Sequence, residues 1–253
     1  MAVDLRRVAL ELATLHEHLK TTEDAARSLA QVREIGFERV TLGVTTAAAV
    51  TLKQQADAAG LTIVGAHADA REIVEQPQRV ADMLSTLGCR LVVFPQPHVP
   101  LATLDQVFAL CDELSRAGEV LRSRGQQLCY RNHALEFRRL GGKAILDWIY
   151  ERTDPILVQG ALDTYGVQAG GAEPAGYCAR LSGRLPLLLL QDYAISAQNE
   201  PFEAALGDGN LSLSRILREA EAAACDWYVV GQGSKVEAPF AAIARSLTYL
   251  KSL

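Results

Sequence analysis

The stretch ILVQGALDTYGVQAGG, from Ile156 to Gly171, contains the pattern that decides the fold. Its first half, residues 156–163, is an apolar run of strand length that ends in a single acidic residue, Asp163. Its second half is rich in glycine, which predicts a loop directly after the strand. An acidic residue at such a boundary raises the question of what stands at the ends of the other apolar runs.

Apolar runs of this length recur along the whole chain, and a helical pattern follows each one. The predicted strands are Val8–Leu12, Arg39–Gly43, Leu61–His67, Arg90–Pro95, Gln126–Asn132, Ile156–Asp163, Pro186–Asp192 and Trp227–Gly231. Helices are predicted from near Thr21, over 47–60, from Pro77, over Leu104–Leu121, Ala144–Tyr150, Pro174–Leu181 and Leu213–Ala224, and from Pro239. Eight strand–helix units in succession predict a (β/α)8 TIM barrel, α/β in class, as a single domain over residues 1–253. An open doubly wound sheet is less favoured, because no G-x-G-x-x-G turn follows the first strand.

Composition and charge restrict the class of partner. The 253 residues carry a formal net charge of -5 and no run of Lys or Arg, which argues against nucleic acid as a partner. The apolar run Leu185–Leu190 is too short to span a bilayer, and the N-terminus lacks the apolar core of a signal peptide. Five cysteines without a C-x-x-C pair are typical of free thiols in a reducing compartment. We therefore expect a cytoplasmic protein with neither a nucleic-acid nor a membrane partner.

Polar residues follow several of the predicted strands at their carboxyl ends. His67 ends the third strand, His133 and Glu136 follow the fifth, Asp163 ends the sixth, and Gln191 lies at the end of the seventh. Active sites of (β/α)8 barrels lie at this end of the strands, so these side chains are expected to meet at one mouth. Carboxylates together with imidazole suit a divalent cation such as Mg, Mn or Zn.

The order of several short stretches resembles a known family. They are EIGFERVTL, AGLTIVGAHA, LGCRLVVFP, LCYRNHALEF, ALDTYGVQAGGAEP, RLPLLLLQDY, LGDGNLSLSRIL and WYVVGQ, and together they cover nearly the full chain. The sequence resembles the sugar phosphate isomerase/epimerase family, the xylose isomerase-like TIM barrels that include inosose dehydratases and the endonuclease IV branch. The resemblance implies an enzyme that moves a proton between neighbouring carbons of a sugar or polyol. It also implies a homodimer, which is common among these proteins.

The resemblance further implies a divalent metal (Mn, Mg or Zn), held by two Glu, one Asp and one His from the last four strands. Glu136 and Asp163 correspond to the first Glu and the Asp, and would be the catalytic and metal-binding residues. Leu189 stands where the His is expected and Gly231 where the second Glu is expected, so two of the four ligands are absent. A structural role for Asp163, capping a loop or pairing with Arg131, is the alternative.

The substrate-binding residues implied by the resemblance are His67, His133 and Gln191. Each also has a structural interpretation, such as a neutral histidine bonded inside the rim of the barrel. Endonuclease IV activity is not expected, because its trinuclear zinc site needs more histidines than the five in this chain.

Three functions therefore remain open. The first is a sugar or polyol isomerase/epimerase with an altered divalent-metal site. The second is a non-catalytic barrel that binds a sugar or a partner subunit after losing its metal. The third is a metal-independent lyase or hydrolase that uses Glu136 and Asp163 as acid and base.

Overall fold

A closed barrel of eight parallel strands forms the centre of the fold, which confirms the predicted (β/α)8 architecture. With all strands numbered along the chain, hairpin strands included, the order around the barrel is β1-β12-β9-β8-β5-β4-β3-β2. The computed structural model describes residues 3–43, 49–232 and 238–253. The barrel strands are β1 (Val8–Glu11), β2 (Arg39–Gly43), β3 (Thr62–His67), β4 (Leu91–Phe94), β5 (Gln127–Arg131), β8 (Val158–Asp163), β9 (Leu187–Leu190) and β12 (Trp227–Val230). Two hairpins lie outside the barrel: β6 (Arg139–Leu140) with β7 (Lys143–Ala144), and β10 (Asp192–Ile195) with β11 (Pro201–Ala204).

Helices connect the strands in the order expected of the fold. They are α1 (Thr22–Ile35), α2 (Ala49–Ala58), α3 (Ala70–Glu75), α4 (Pro77–Leu87), α5 (Leu104–Ser123), α6 (Ile145–Arg152), α7 (Thr164–Ala169), α8 (Pro174–Arg180), α9 (Leu213–Ala222) and α10 (Pro239–Ser252). The first two residues of the helix predicted over 47–60 lie outside the described residues. Among the helices within the described ranges, none is long and apolar enough to cross a lipid bilayer.

Side chains along each barrel strand alternate between two separate apolar cores. Ala9, Cys129 and Leu189 belong to a small core inside the barrel, whereas Leu10 and Tyr130 belong to the large core between strands and helices. Because side chains on a strand alternate between its two faces, the residue two positions after an inward one also points inward. The alternation therefore directs the last residues of several strands into the mouth of the barrel. All five cysteines are buried and free.

The segment after Asp163 is the main departure from the predicted elements. We expected a loop there, and the chain instead forms the short helix α7. Asp163 is its N-cap, since its side chain accepts a hydrogen bond of 2.9 Å from the backbone N–H of Gly166. Glycine fits this helix because it packs closely on the fifth strand's end: a Cβ on Gly166 would lie 3.0 Å from Asn132 Nδ2.

Candidate functional site

Six inward positions surround the carboxyl-terminal mouth of the barrel. They are Glu11 on β1, His67 on β3, Arg131 on β5, Asp163 on β8, Gln191 after β9 and Gly231 after β12. Five of them lie two positions after a residue of the inner core, and His67 follows Ala66, which faces the outer core. Because side chains on a strand alternate between its two faces, all six positions face the barrel interior. The mouth thus collects an arginine, two carboxylates, an imidazole and an amide.

Arg131 joins the two carboxylates across the mouth. Its Nη1 donates to Glu11 Oε1 at 3.0 Å, and its Nη2 and Nε donate to Asp163 Oδ2 at 2.7 Å and 3.0 Å. The strands β1 and β5 are four steps apart in either direction around the barrel, so the guanidinium reaches from one wall to the opposite one. Burial alone would lower the pKa of Arg131, but the carboxylates of Glu11 and Asp163 raise it above its ordinary value. The centre of the mouth therefore holds a permanent positive charge.

Asp163 combines both structural roles that the sequence left open for it, helix cap and partner of Arg131. Its backbone is fixed as well, because its N–H donates to Asn132 Oδ1 at 2.8 Å and its carbonyl accepts from Asn132 Nδ2 at 3.2 Å. With the Gln191 amide nitrogen facing it, Asp163 also accepts a hydrogen bond of 2.9 Å at each carboxylate oxygen. This carboxylate is held rigidly by its neighbours.

His67 lies beside the carboxylate of Glu11. The two residues approach at 3.5 Å between His67 Nε2 and Glu11 Oε1, and only 11% of the His67 side chain is exposed. Burial, which outweighs the attraction of Glu11, lowers the pKa of His67 to about 4, and the charge of Arg131 lowers it further. At neutral pH the mouth therefore contains a neutral imidazole.

The hairpin of β10 and β11 brings a third carboxyl group, that of Glu203, within electrostatic reach of Asp163, Arg131 and Glu11. Glu203 lies directly opposite Tyr193 in the hairpin, so both side chains are on the same face. The Tyr193 ring contacts that of Tyr165 on α7, with 5.5 Å between ring centroids. Burial, followed by repulsion from Asp163, raises the pKa of Glu203 to about 7, against the opposing effect of Arg131. Within the part of the chain that the structure describes, no hydrogen bond or ion pair engages this carboxyl.

Glu136 has no hydrogen bond or ion pair to Arg131, Glu11 or Asp163 among the described residues. It is fully buried in the turn 134–137, where Oε1 accepts from Tyr130 Oη and Oε2 accepts from the His133 backbone N–H, both at 2.8 Å. Tyr130 itself belongs to the large core between strands and helices. His133 is half-exposed, with Nδ1 at 3.5 Å from Glu136 Oε1. The structure thus separates Glu136 and His133 from the Arg131 cluster, and their roles in a site stay predictions.

Two further polar residues near the strand ends are engaged in structural contacts. The buried carboxylate of Asp192 accepts backbone N–H bonds from Tyr193, Gly207, Gly209 and Leu211, at 2.8 to 3.2 Å. The side chain of Gln232 donates to Ser246 on α10 at 3.1 Å. Neither side chain turns into the mouth to replace a missing ligand.

The residues present do not fit the divalent metal that the resemblance implies. Among the described residues, no group of three or more His, Cys, Asp or Glu side chains is arranged to hold a metal ion. Leu189 is packed in the inner core, and a Cβ at Gly231 would lie 2.6 Å from Glu11 Oε2. The carboxylates that do meet at the mouth, Glu11 and Asp163, already share a guanidinium.

Comparisons with known proteins show which solved structures share this fold. No protein-family model matches the sequence, and no curated protein is significantly similar to it. A solved sugar phosphate isomerase/epimerase from Parabacteroides distasonis ATCC 8503 is similar with a TM-score of 0.82 and 22% identity, over 97% of this chain and 93% of that one. An L-ribulose 3-epimerase is similar at a TM-score of 0.73 and 15% identity, over 99% and 93% of the two chains. A 3-keto-D-glucoside 4-epimerase from E. coli is similar at 0.71 and 15%, over 98% and 99%. The chain has the fold of the xylose isomerase-like TIM barrels, as the sequence resemblance implied.

Sequence reasoning missed Glu11 and Glu203 as residues of the mouth, and it named Arg131 only as a structural partner of Asp163. A signal for Glu11 and Arg131 was present, because each is a charged residue at the carboxyl end of an apolar strand. Glu203 had no such signal, since its position depends on a hairpin whose strands are four residues long.

Proposed function

We propose that this barrel is a sugar or polyol isomerase/epimerase that moves a proton at its mouth with side chains alone. The carboxyl group of Glu203, without a hydrogen-bond partner among the described residues and set beside the Arg131 cluster, is the observation that carries the proposal. The fold shared with solved epimerases supports the reaction class. The substrate is a polyhydroxylated compound with a carbonyl group.

Glu203 acts as the acid–base residue in this proposal. In its carboxylate form it takes the proton from the hydroxyl-bearing carbon beside the substrate carbonyl; the C–H electron pair forms the new C=C bond and the carbonyl π pair moves onto the carbonyl oxygen, which gives an enediolate. For isomerisation, the protonated carboxyl returns the proton to the former carbonyl carbon while the hydroxyl proton passes to the other oxygen. For epimerisation, the enediolate turns over in the site before the same carboxyl returns the proton to the opposite face of the first carbon. A pKa of about 7 suits both steps at neutral pH, because both protonation states are populated.

Neighbouring side chains bind and orient the substrate. Tyr165 and Tyr193 offer ring faces on which the C–H bonds of a sugar can pack. His67 and Gln191, already expected from the sequence to bind substrate, reach the same mouth and offer groups that can bond hydroxyls. Asp163 and Arg131 have a positioning role, since their mutually bonded, rigid side chains form the surface of the mouth against which the substrate binds.

Exchange with heavy water tests the proposal. A panel of ketoses, aldoses and keto-cyclitols is incubated with the protein in D2O, and incorporation of deuterium beside the carbonyl is followed by NMR. At least one substrate is expected to exchange, with a rate that rises through pH 7 as Glu203 ionises. Loss of an acid–base group costs roughly 100-fold or more, so Glu203→Gln is expected to lose the exchange to that extent.

Glu200→Gln is the matched control, because Glu200 is exposed in the turn of the same hairpin. It is expected to keep the wild-type rate. Exchange that is unchanged in folded Glu203→Gln would refute the role of this carboxyl. Saturable binding of a sugar without any exchange would favour the non-catalytic, sugar-binding alternative.

A further inference from the structure

The arginine of the mouth lies between two carboxylates from opposite walls of the barrel. The guanidinium of Arg131 lies between Glu11 and Asp163, with donor–acceptor distances of 2.7 to 3.0 Å to both carboxylates. A cation that used Glu11 and Asp163 as ligands would need this same position. The charge that a metal would supply is therefore already provided by the chain.

Glu11 also fills the volume of a carboxylate that the chain lacks. The strand β1 is the neighbour of β12 in the barrel, and a Cβ on Gly231 would lie 2.6 Å from Glu11 Oε2 and 3.0 Å from the amide of Gln191. A longer side chain at position 231 could enter the mouth only by displacing Glu11. The absence of a side chain at Gly231 thus leaves the space that the Glu11 carboxylate occupies.

We infer that Arg131 is the resident cation of this mouth and that Glu11, Arg131 and Asp163 together replace the divalent-metal site of the fold. The inference is independent of the proposed reaction, because it concerns which cation the mouth holds. The buried guanidinium is bonded to carboxylates from opposite walls, and a second cation entering between them would meet both a filled space and a like charge. Removal of Arg131 leaves two facing carboxylates without a counter-charge, which is the arrangement that favours a hard divalent ion.

Titration with Mn²⁺, followed by the electron paramagnetic resonance signal of the free ion, tests the inference. Wild type is expected to show no saturable site tighter than about 1 mM, the weak end of protein sites for hard divalent ions. Arg131→Met, which keeps an unbranched apolar stem about as far as Nε and removes the charged guanidinium, is expected to gain one site at least tenfold tighter. The second change Glu11→Gln in that variant is expected to abolish the gain. Arg138→Met is the matched control, since Arg138 is exposed shortly after the same strand, and it is expected to behave as wild type.

Two results would overturn the inference: one tightly bound equivalent of Mn²⁺ in wild type, or a folded Arg131→Met variant that gains no site. Should Arg131→Met fail to fold, the wild-type protein still decides. The Arg131 Nε–H resonance is expected to remain visible by NMR with one equivalent of Mn²⁺ present. Its selective broadening at that ratio would place the metal at the mouth and contradict the inference.

Discussion

Burial at the mouth shifts the pKa of its titratable side chains, and His67 is the clearest single case. Burial is the dominant influence on the pKa of its imidazole, followed by the charges of Glu11 and Arg131. Glu203 is influenced in the opposite sense, with a pKa raised to about 7. Individual residues thus make the stability of the fold depend on pH in two opposing directions.

His67 is expected to lower stability at acidic pH. Its pKa is about 4 in the folded protein and near 6.5 in an unfolded chain. Between these values the unfolded chain binds more protons, so stability falls as the pH decreases from 6.5 towards 4. Glu203 partly masks this, because its raised pKa makes the folded state bind more protons up to about pH 7.

The contribution of His67 is therefore obtained as the difference between wild type and His67→Gln. The free energy of unfolding, measured in urea from pH 7 to pH 4.5, is expected to fall by about 2 kcal/mol more in wild type than in the variant. His16→Gln, which removes an exposed imidazole, controls for the loss of one titratable group. Parallel pH profiles for wild type and His67→Gln would show that His67 titrates normally.

The order of the strands and helices could be predicted from the sequence, whereas the short helix α7 and the partners of Glu136 could not. Strands such as β9, four leucines long, have an apolar pattern that only a strand covered on both faces explains. The helix α7 was hidden by its glycine, since the cap on Asp163 and the close packing on Asn132 outweigh low helix propensity. Glu136 was expected at the mouth from its position after the fifth strand and from the family resemblance; the structure shows it bonded to Tyr130, and its role in a site stays a prediction.

Asp192 organises the loop that follows the β10–β11 hairpin. Its buried carboxylate accepts N–H bonds from residues 207, 209 and 211, which ties three points of the loop to one side chain. Asp192→Ala is expected to reduce the free energy of unfolding by about 3 kcal/mol, because hydrogen bonds to a charged acceptor are lost together. Asp208→Ala removes an exposed acid from the same loop and is expected to cost less than about 0.5 kcal/mol. Equal urea midpoints for the two variants would argue against this role.

For the whole molecule, barrel closure is what brings the site together. Glu11 and Arg131 are 120 positions apart in the chain and lie on opposite walls of the barrel, yet their side chains bond directly. The sequence contained both residues but not the relation between them, because that relation depends on strand order and on the alternation of inward positions. The fold is shared with solved epimerases, whereas the chemistry of this mouth depends on its individual side chains.

A crystal structure of the wild-type protein soaked in Mn²⁺, with diffraction recorded at the manganese absorption edge, tests most directly that Arg131 is the cation of the mouth. The expected anomalous map has no manganese peak within the barrel mouth, and the guanidinium lies between Glu11 and Asp163. A peak coordinated by Asp163, with Arg131 turned away from it, would contradict the central claim.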